Sequence, residues 1–488
     1  MCGKRRARLR LAAMAWLLAP SLAFAAPGWP QSRADARNTA SLEIDAPESG
    51  RPRRWTFGGG RTLGYEPGMT VWSSPALGAV GGRAVLLAGS YDHSLHAFDA
   101  ASGQPLWKFT TGGGVYGTPA LWERGGRPVV FAASSDRLLY ALDASDGRRL
   151  WNHVVEDYRP TLGGARLPAP CLGRARGRDA VFVAHWVFDR SLAGSLQRGG
   201  VTALDAEEGS VLWRRDLGDN EMTAPLYAEI GGRGILLVGS SNGNLYALDA
   251  DRGEPIWRHV ELDAVRSPPA VLDLGGEGRI LTASKYGALR ALDVRSGAEI
   301  WSYKTGDRIT GSPALAERRG RAIALVGSYD RSLHAVDAAT GAPIWRHETR
   351  GGIYGSPCLA GPAALVASWD HRLHAVSAES GALLWSFHAG RPLWDAIALD
   401  ESTWSSPAAA RINGRWMAYF GSYDGNLYAL PLDELAAPAG PARANFAFWV
   451  SFPIALLAAG LLALLFTRRA RARAAANPPI ASFDRRGP

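Results

Sequence analysis

One short phrase recurs along this chain of 488 residues, and it constrains the fold more than any other feature. A tryptophan follows a glycine-containing turn at Trp107, Trp151, Trp213, Trp257, Trp301, Trp345 and Trp385. Four of the six steps between these tryptophans are 44 residues long. A proline recurs in the same way, at Pro75, Pro119, Pro170, Pro225, Pro269, Pro313, Pro357 and Pro407. A fixed period of this length indicates an architecture in which each repeat is one supersecondary unit.

Each repeat contains four short segments separated by turns. After Pro75 the first repeat reads "AVLLAGS", the polar turn "YDHS", the alternating run "LHAFDA", the turn "ASGQ" and then "LWKF". Alternation broken by closely spaced turns is typical of short antiparallel strands. Each repeat is therefore predicted to be a four-stranded sheet, with strands A to D in chain order. This is the size and content of a propeller blade.

The numbers of the two markers predict a closed ring. Eight prolines need eight D strands, but no repeat tryptophan follows Pro407. The missing strand stands at the other end of the chain, where Trp55 lies in "RRWTFGGG" before the first proline. The sequence thus predicts an all-β, eight-bladed propeller of four-stranded antiparallel blades in which the N-terminal strand completes blade eight. Closure of this kind removes exposed sheet edges.

Both ends of the chain resemble membrane-targeting segments. The basic "KRRARLR" precedes the apolar "LAAMAWLLAPSLAFA", which ends in small residues, as in a secretory signal peptide. An uncharged run near the C-terminus is long enough to cross a bilayer as a helix, and "RRARAR" after it favours a cytoplasmic tail. The predicted segments are a signal peptide over 1–25, a propeller over 26–434, a linker over 435–445, a transmembrane helix over 446–467 and a tail over 468–488. The expected protein is single-pass, with its propeller in the periplasm or another extracytoplasmic space.

The net charge of +9 is confined to these ends. Residues 1–25 and 468–488 each carry +5, which leaves −1 for the rest of the chain. A nearly neutral body gives no basis for binding a phosphate backbone, so nucleic acid is not an expected partner.

The repeat "DAATGAPIW" from Asp337 to Trp345 resembles the pyrroloquinoline-quinone (PQQ) repeat. The resemblance covers roughly residues 29–433 and implies a quinoprotein-type propeller. That family includes PQQ-dependent dehydrogenases and a non-catalytic lipoprotein of the outer-membrane barrel-assembly machinery. It implies that the repeat tryptophans and Trp55 pack between blades. The sequence has no adjacent cysteine pair of the kind that dehydrogenases of this family carry near the quinone, no Cys-x-x-Cys-His haem motif and no lipobox.

Insertions in the repeat indicate a functional face. The steps from Trp55, Trp151 and Trp385 to the next proline are longer than usual, and blade three carries extra residues around "FDRSLAGSLQRGG". All four insertions fall in D–A loops or in a B–C turn, which share one end of a blade. Because insertions on a rigid scaffold usually carry function, we expect ligand or partner binding at this end, called here the mouth face.

Large side chains also cluster at the mouth face. Three residues before the marker proline and at the B–C turn, blades seven, eight and one are aromatic, whereas blade five is basic. The candidate ligand- or partner-binding residues are Trp72, Tyr91, Tyr116, Arg266, Lys285, Tyr329, Tyr354, Trp369, Trp404 and Tyr423. An aromatic arc facing a cationic spot suits a planar anion or a peptide segment. The alternative is that the aromatic rings only plug the end of the channel.

Other candidate residues have structural explanations. Asp92, Asp330, Asp370 and Asp424 recur in the B–C turn, where aspartate caps its own backbone. The histidines His96, His334 and His374 take the strand position that tyrosine holds in other blades, which favours packing over metal binding. Cys171 and Cys358 occupy the same repeat position in blades three and seven, on opposite sides of the ring, so we expect no disulfide between them.

Two classes of function follow from the sequence. The first is a membrane-anchored propeller that binds a cell-envelope protein or a small anionic ligand, with no metal and no cofactor expected. The second is a PQQ-dependent quinoprotein dehydrogenase, with PQQ and calcium, that passes electrons to the membrane. No catalytic residue is assigned in either case.

Overall fold

The computed structural model describes residues 41–44, 52–58, 73–124, 126–156, 163–189, 196–219, 222–260, 264–273, 277–388, 406–421 and 426–435. These residues form eight β-sheets and one short helix, α1 (Leu432–Leu435). Among them, no helix has the length and apolar character needed to span a membrane. The predicted signal peptide, transmembrane helix and basic tail lie outside the described residues, so those predictions stand untested.

The strands follow the repeat in chain order. Two strands, β1 (Ser41–Ile44) and β2 (Trp55–Gly58), precede the first blade. Blades one to four comprise β3 (Ala76–Val80), β4 (Arg83–Gly89), β5 (Ser94–Asp99), β6 (Pro105–Thr110); β7 (Ala120–Arg124), β8 (Arg127–Ala133), β9 (Leu138–Asp143), β10 (Arg149–Val154); β11 (Gly163–Arg166), β12 (Cys171–Ala175), β13 (Arg178–Asp189), β14 (Leu196–Asp205), β15 (Val211–Asp219); and β16 (Leu226–Ile230), β17 (Arg233–Gly239), β18 (Asn244–Asp249), β19 (Pro255–Val260). Blades five to eight comprise β20 (Ala270–Asp273), β21 (Gly278–Ala283), β22 (Ala288–Asp293), β23 (Glu299–Lys304); β24 (Ala314–Arg318), β25 (Arg321–Ser328), β26 (Ser332–Asp337), β27 (Pro343–Glu348); β28 (Cys358–Ala360), β29 (Ala363–Ser368), β30 (Arg372–Ser377), β31 (Leu383–His388); and β32 (Ala408–Ile412), β33 (Arg415–Gly421), β34 (Asn426–Pro431).

Burial follows the position of a strand within its blade. The A strands of neighbouring blades contact one another, as β3 does with β7 and β24 with β28, so they surround the central channel. The B and C strands are almost wholly buried, as in β5 and β26. The D strands alternate exposed and partly buried residues because they form the outer rim. The core therefore lies between blades, as the alternating sequence pattern predicts.

The repeat motif is explained by a tryptophan–glycine contact between blades. The motif glycine has φ between 68° and 77° and lies under the indole of the preceding blade's tryptophan, in the pairs Trp55–Gly103, Trp107–Gly147, Trp151–Gly209, Trp213–Gly253, Trp257–Gly297, Trp301–Gly341 and Trp345–Gly381. Five of these indoles also donate Nε1–H to a carbonyl of the next blade, as Trp107 does to Ala144 O at 2.9 Å. The prediction that the tryptophans pack between blades is confirmed at these seven boundaries.

The ring closes as the repeat count predicts. Strand β2 pairs antiparallel with β34, so the N-terminal strand supplies the D strand of blade eight. Trp55 then packs on Gly103 of blade one, and the Tyr419 hydroxyl donates to Ala100 O at 2.9 Å across the same boundary. Hydrophobic residues of blades eight and one form one shared cluster. The eight-bladed ring is confirmed.

Two blades depart from the predicted four strands. In blade eight, β1 adds a fifth strand that runs parallel to β32. It pairs with the free edge of this innermost strand and also contacts β3 and β28. Residues 41–44 therefore lie inside the channel, against blades seven, eight and one. The repeat pattern predicts no strand at these residues.

Blade three gains its fifth strand from two insertions. Its B and C strands, β13 and β14, extend into a long hairpin, and β11 from the preceding D–A loop pairs with the extended part of β13. The predicted placement of these two insertions at one end of the blade is confirmed. The insertions after Trp55 and Trp385 lie outside the described residues.

The cysteines occupy equivalent sites in different blades, as predicted. Cys171 and Cys358 are both buried, neither forms a disulfide, and each Sγ lies 3.6 Å from the carbonyl oxygen of the following residue.

Candidate functional site

The mouth face is held together by the aspartates of the B–C turns. Asp136 Oδ1 accepts from Leu138 N at 3.0 Å within its own turn. Its Oδ2 accepts from Gly112 N of the preceding D–A loop at 2.7 Å. Asp330 makes the equivalent contact with Gly306 N at 2.8 Å. These hydrogen bonds place B–C turns beside the D–A loops of the preceding blade. Asp330 is therefore structural, as predicted for the turn aspartates, and in addition joins two blades; Asp424 lies outside the described residues.

The repeated histidines complete the same arrangement. His96, His334 and His374 each place Nε2 within 2.8–3.1 Å of a carboxylate oxygen of the aspartate four residues earlier. Burial lowers the pKa of His334, against the raising effect of Asp330. Hydrogen bonds from Gly306 N and His334 outweigh burial and lower the pKa of Asp330. Among the described residues no three His, Cys, Asp or Glu side chains form a metal-binding group. The prediction of packing with a polar tip is consistent with these contacts.

Three candidate aromatic residues meet at the boundary of blades six and seven. The Tyr329 ring lies 5.0 Å from the Tyr354 ring and 5.1 Å from the Trp369 ring, measured between centroids. Tyr354 and Trp369 stack at 6.1 Å with an interplanar angle of 14°. Tyr354 is only 2% exposed, so it supports the other two rings from beneath. Tyr329 and Trp369 remain partly exposed and form the accessible surface of this trio.

Trp369 has a polar group without a partner. Its Nε1 is buried and makes no hydrogen bond to any residue that the structure describes, although an indole N–H usually finds an acceptor when it is buried. The indole N–H is thus an unsatisfied donor within a cluster of aromatic rings, and a bound group could satisfy it by supplying an acceptor.

A second aromatic pair lies at the boundary of blades one and two. Tyr91 and Tyr116 have ring centroids 5.9 Å apart, and Tyr91 is 46% exposed. In both this pair and the trio, a B–C turn residue of one blade meets the residue three positions before the marker proline of the next. The predicted residues Trp72, Trp404 and Tyr423 lie outside the described residues, so the part of the arc between the trio and the pair is not described.

The two predicted cations lie close to each other in blade five. Arg266 and Lys285 are partly buried on adjacent segments of blade five, because Val265 and Ser284 form a bridge. A third cation, Arg308, lies beside the trio and is not among the predicted residues. The Arg308 guanidinium lies 4.9 Å from the centroid of the Tyr329 ring, within the range of a cation–π contact. Arg308 occupies neither of the two repeat positions compared, so their alignment could not reveal it.

The geometry combines partly exposed rings, an unpartnered indole N–H and a neighbouring guanidinium. Such a surface stacks on a planar group, hydrogen-bonds to an acceptor at its edge and attracts negative charge. Within the described residues of this surface, we identify no group arranged as a nucleophile with a base. The arrangement therefore suits binding.

Comparisons with known proteins match this architecture. The model of a family described as outer membrane protein assembly factor BamB matches residues 45–185, 197–318 and 285–434. The crystal structure of quinohemoprotein alcohol dehydrogenase from Comamonas testosteroni is similar, with a TM-score of 0.61 and 15% identity over 85% of this chain and 81% of that one. A europium-containing methanol dehydrogenase gives a TM-score of 0.61 and 15% identity over 81% and 90%.

A third similar structure is the quinohemoprotein alcohol dehydrogenase ADHIIG from Pseudomonas putida HK5, with a TM-score of 0.58 and 14% identity over 85% and 81%. No curated protein sequence matches this chain significantly. At these identities the structural likeness establishes the propeller fold alone, and that fold serves several functions.

Proposed function

We propose that this protein is a binding or scaffolding module of the cell envelope. The premise is its family: the chain belongs to the PQQ-repeat propellers described as outer membrane protein assembly factor BamB. Its mouth face captures a partner by an aromatic or planar anionic group. The observation that carries this proposal is the trio of Tyr329, Tyr354 and Trp369 with Arg308 beside it.

The trio has the properties of an interaction anchor. Two partly exposed rings rest on the buried Tyr354, so little side-chain freedom is lost when a partner packs against them. Aromatic residues and arginine dominate the energetic centres of protein interfaces. The unpartnered Trp369 Nε1 supplies a directional hydrogen bond to a carboxylate or carbonyl of the bound group. Stacking and charge would thus act on the same partner.

The cellular location is part of the proposal. The predicted signal peptide and the uncharged run over 446–467, with arginines after it, support an extracytoplasmic propeller with one C-terminal membrane anchor. The mouth face would then meet other envelope proteins or small anions outside the cytoplasm.

The second candidate is a quinoprotein oxidoreductase. PQQ is a planar polycarboxylate, and Trp369 with Arg308 offers a stacking face and a cation for such a molecule. When bound, the quinone supplies the capacity for two-electron oxidation. The residues fit only in part, because Cys171 and Cys358 lie in opposite blades and cannot form an adjacent pair. The described residues also contain no three-residue carboxylate or imidazole group for calcium. We therefore derive no reaction step.

The decisive experiment compares capture with folding. Tyr329→Ala and Trp369→Ala should each weaken capture of the main envelope partner by about 2 kcal/mol or more, as loss of an interface anchor does. Trp122→Ala is the matched control, since Trp122 lies in the middle of β7, outside the trio. Capture is measured by pull-down from envelope extract with the amount of folded protein held equal. Unchanged capture per folded molecule would refute the aromatic site.

A direct assay separates the two candidates. The purified protein is incubated with PQQ and calcium and tested for dye reduction with alcohols and sugars. We expect no turnover. Robust dye reduction that is lost in Trp369→Ala would favour the oxidoreductase.

A further inference from the structure

Two histidines meet at the boundary of blades six and seven. His347 lies in β27, the D strand of blade six, and His374 lies in β30, the C strand of blade seven. Their ring centroids are 5.8 Å apart, with an interplanar angle of 63°. His374 is 7% exposed, whereas His347 is partly exposed on the outer rim. The pair therefore lies just beneath the rim of the ring.

Each imidazole has one nitrogen that is fixed as a donor. His347 Nδ1 lies 3.1 Å from Gly381 O, and this nitrogen carries the proton because a carbonyl oxygen only accepts. His374 Nε2 lies 2.8 Å from Asp370 Oδ2. Burial raises the pKa of Asp370, but the hydrogen bond and charge of His374 outweigh it and lower that pKa, so the carboxylate is ionised and accepts. A neutral imidazole has one N–H, so the other nitrogen of each ring is left as a lone-pair acceptor.

These two lone pairs have no donor. His347 Nε2 and His374 Nδ1 are buried and make no hydrogen bond to any residue that the structure describes. Burial lowers the pKa of His347, and the neighbouring His374 lowers it further, against the raising effects of Gly381 O and Asp370. The ring of His347 is thus neutral near pH 7. A buried acceptor without a partner is costly, so a group that both nitrogens can share is favoured here.

The preceding boundary shows how the same place is satisfied with a different residue. There Tyr303 takes the repeat position of His347. His334 takes the position of His374, and the two rings are again 5.8 Å apart, at 61°. Tyr303 Oη donates to His334 Nδ1 at 3.0 Å, since His334 Nε2 is taken by Asp330. The equivalent arrangement turns His374 Nδ1 towards His347, which offers a second lone pair where the tyrosine offers a donor.

The separation of the two rings suits one shared metal ion. A zinc–nitrogen bond of about 2.0–2.1 Å places the centroid of a coordinating imidazole about 3.2 Å from the ion, so two such rings at a tetrahedral angle are about 5 Å apart. The observed 5.8 Å is slightly longer, and small side-chain rotations remove the difference. The hydrogen bonds to Gly381 O and Asp370 are also of the kind that orients histidine ligands, because the second nitrogen of such a ring donates to a carbonyl or carboxylate.

We propose that His347 Nε2 and His374 Nδ1 together bind one divalent transition-metal ion, zinc or copper, with water as its remaining ligands. Imidazole nitrogen suits these ions, whereas calcium and magnesium prefer oxygen ligands. Two protein ligands leave the other positions to water, so this is an open site. The ion would join the D strand of blade six to the C strand of blade seven. The site uses neither the aromatic trio nor a quinone, so it does not depend on the proposed function.

Binding is tested by calorimetric titration of the full-length protein, purified in detergent without a histidine tag and freed of metal by dialysis against a chelator. We expect saturable binding of Zn²⁺ and none of Ca²⁺. His347→Tyr should weaken Zn²⁺ binding at least tenfold. This variant should fold, because tyrosine at the same position donates to the facing histidine at the preceding boundary.

The matched control is His259→Tyr in blade four. His259 takes the repeat position of His347, and its Nδ1 lies 2.9 Å from Gly297 O in the same way. Blade five, however, has Arg290 where blade seven has His374, so no second imidazole is supplied there. His259→Tyr should therefore leave Zn²⁺ binding unchanged.

Two further measurements report on the same pair. Cu²⁺ bound to the wild-type protein should show coupling to two imidazole nitrogens in its electron paramagnetic resonance spectrum, and His347→Tyr should lack this signal. Zn²⁺ at about a hundredfold excess over its dissociation constant should raise the melting midpoint of the wild type by about 3–5 °C and leave that of His347→Tyr unchanged. Absence of saturable Zn²⁺ binding would overturn the proposal, because water would then suffice between the rings. Equal Zn²⁺ affinity in the wild type and His347→Tyr would overturn it as well.

Discussion

The contact between Trp301 and Gly341 allows the blade-to-blade lock to be measured. A Cβ at Gly341 would lie 2.7 Å from Cδ2 of Trp301, although carbon atoms in good contact are about 3.5–4.0 Å apart. Gly341→Ala therefore forces the indole back by about 1 Å and strains its hydrogen bond from Nε1 to Ala338 O. The substitution also places alanine at φ 76°, in the left-handed region.

Gly232 separates these two effects. It has the same φ of 76°, and a Cβ there meets nothing within 4 Å. Gly232→Ala should thus cost only the backbone term, about 1 kcal/mol after the entropy gained by restricting the unfolded chain. Gly341→Ala should cost a further 2–4 kcal/mol or so, from about 1–3 for overpacking and about 1 for the hydrogen bond.

The assay is thermal unfolding followed by circular dichroism at one scan rate for both variants. For a domain of this size each kcal/mol lowers the midpoint by about 1–2 °C, so we expect a loss of about 1–2 °C for Gly232→Ala and roughly 3–10 °C for Gly341→Ala. Equal losses would refute the reasoning, because the indole would then contribute nothing beyond the backbone conformation that the motif requires.

Three further predictions concern other parts of the ring. Stability to urea should fall as the pH drops below about 6.5, because the histidine binds a proton in the unfolded chain, whereas burial lowers the pKa of His334 in the folded one. It should fall again below about pH 4, because Asp330, whose pKa is lowered in the folded protein, is then protonated more readily in the unfolded chain. A urea midpoint that stays constant from pH 7 to 3 would contradict this. Ile44 in the channel strand β1 is 5% exposed, so Ile44→Asp buries a charge and should lower the free energy of unfolding by about 2–4 kcal/mol in the same urea assay. A loss below about 1 kcal/mol would argue against the buried position of β1. Cys171, whose pKa burial raises to about 12, and Cys358 should resist alkylation at pH 8 until the protein is unfolded, and mass spectrometry should find no bridge between them.

The repeat predicts most of the fold because one physical contact is written into every unit. The turn aspartate, the glycine and the tryptophan must coexist for one blade to dock on the next, so their spacing is visible in a single sequence. Closure by Trp55 follows from the same rule. Strand β1 could not be foreseen in this way, because "SLEI" makes a parallel, long-range pair that has no counterpart in the described parts of the other seven blades.

The sequence predicts which repeat positions meet at the mouth face, but not how deeply each side chain there is buried. Aligning the repeats brings aromatic positions together, yet the same position holds the buried Tyr354 in blade seven and the partly exposed Tyr116 in blade two. Burial depends on the neighbouring rings, which the period does not encode. Arg308 lies outside the compared positions, so only the folded chain brings it to the trio.

The strand in the channel bears on how a partner reaches the site. Strand β1 occupies the channel beside blades seven, eight and one, which is the sector where the aromatic candidates gather. The A–B end of the ring is also where Ile44 O accepts a hydrogen bond from Asn413 N at 3.2 Å, which ties the channel strand to the blade-eight turn. A ligand that passed through the channel in this sector would have to displace four paired residues. Approach from the mouth face displaces none of them, so the proposed partner would reach Trp369 and Tyr329 from that end.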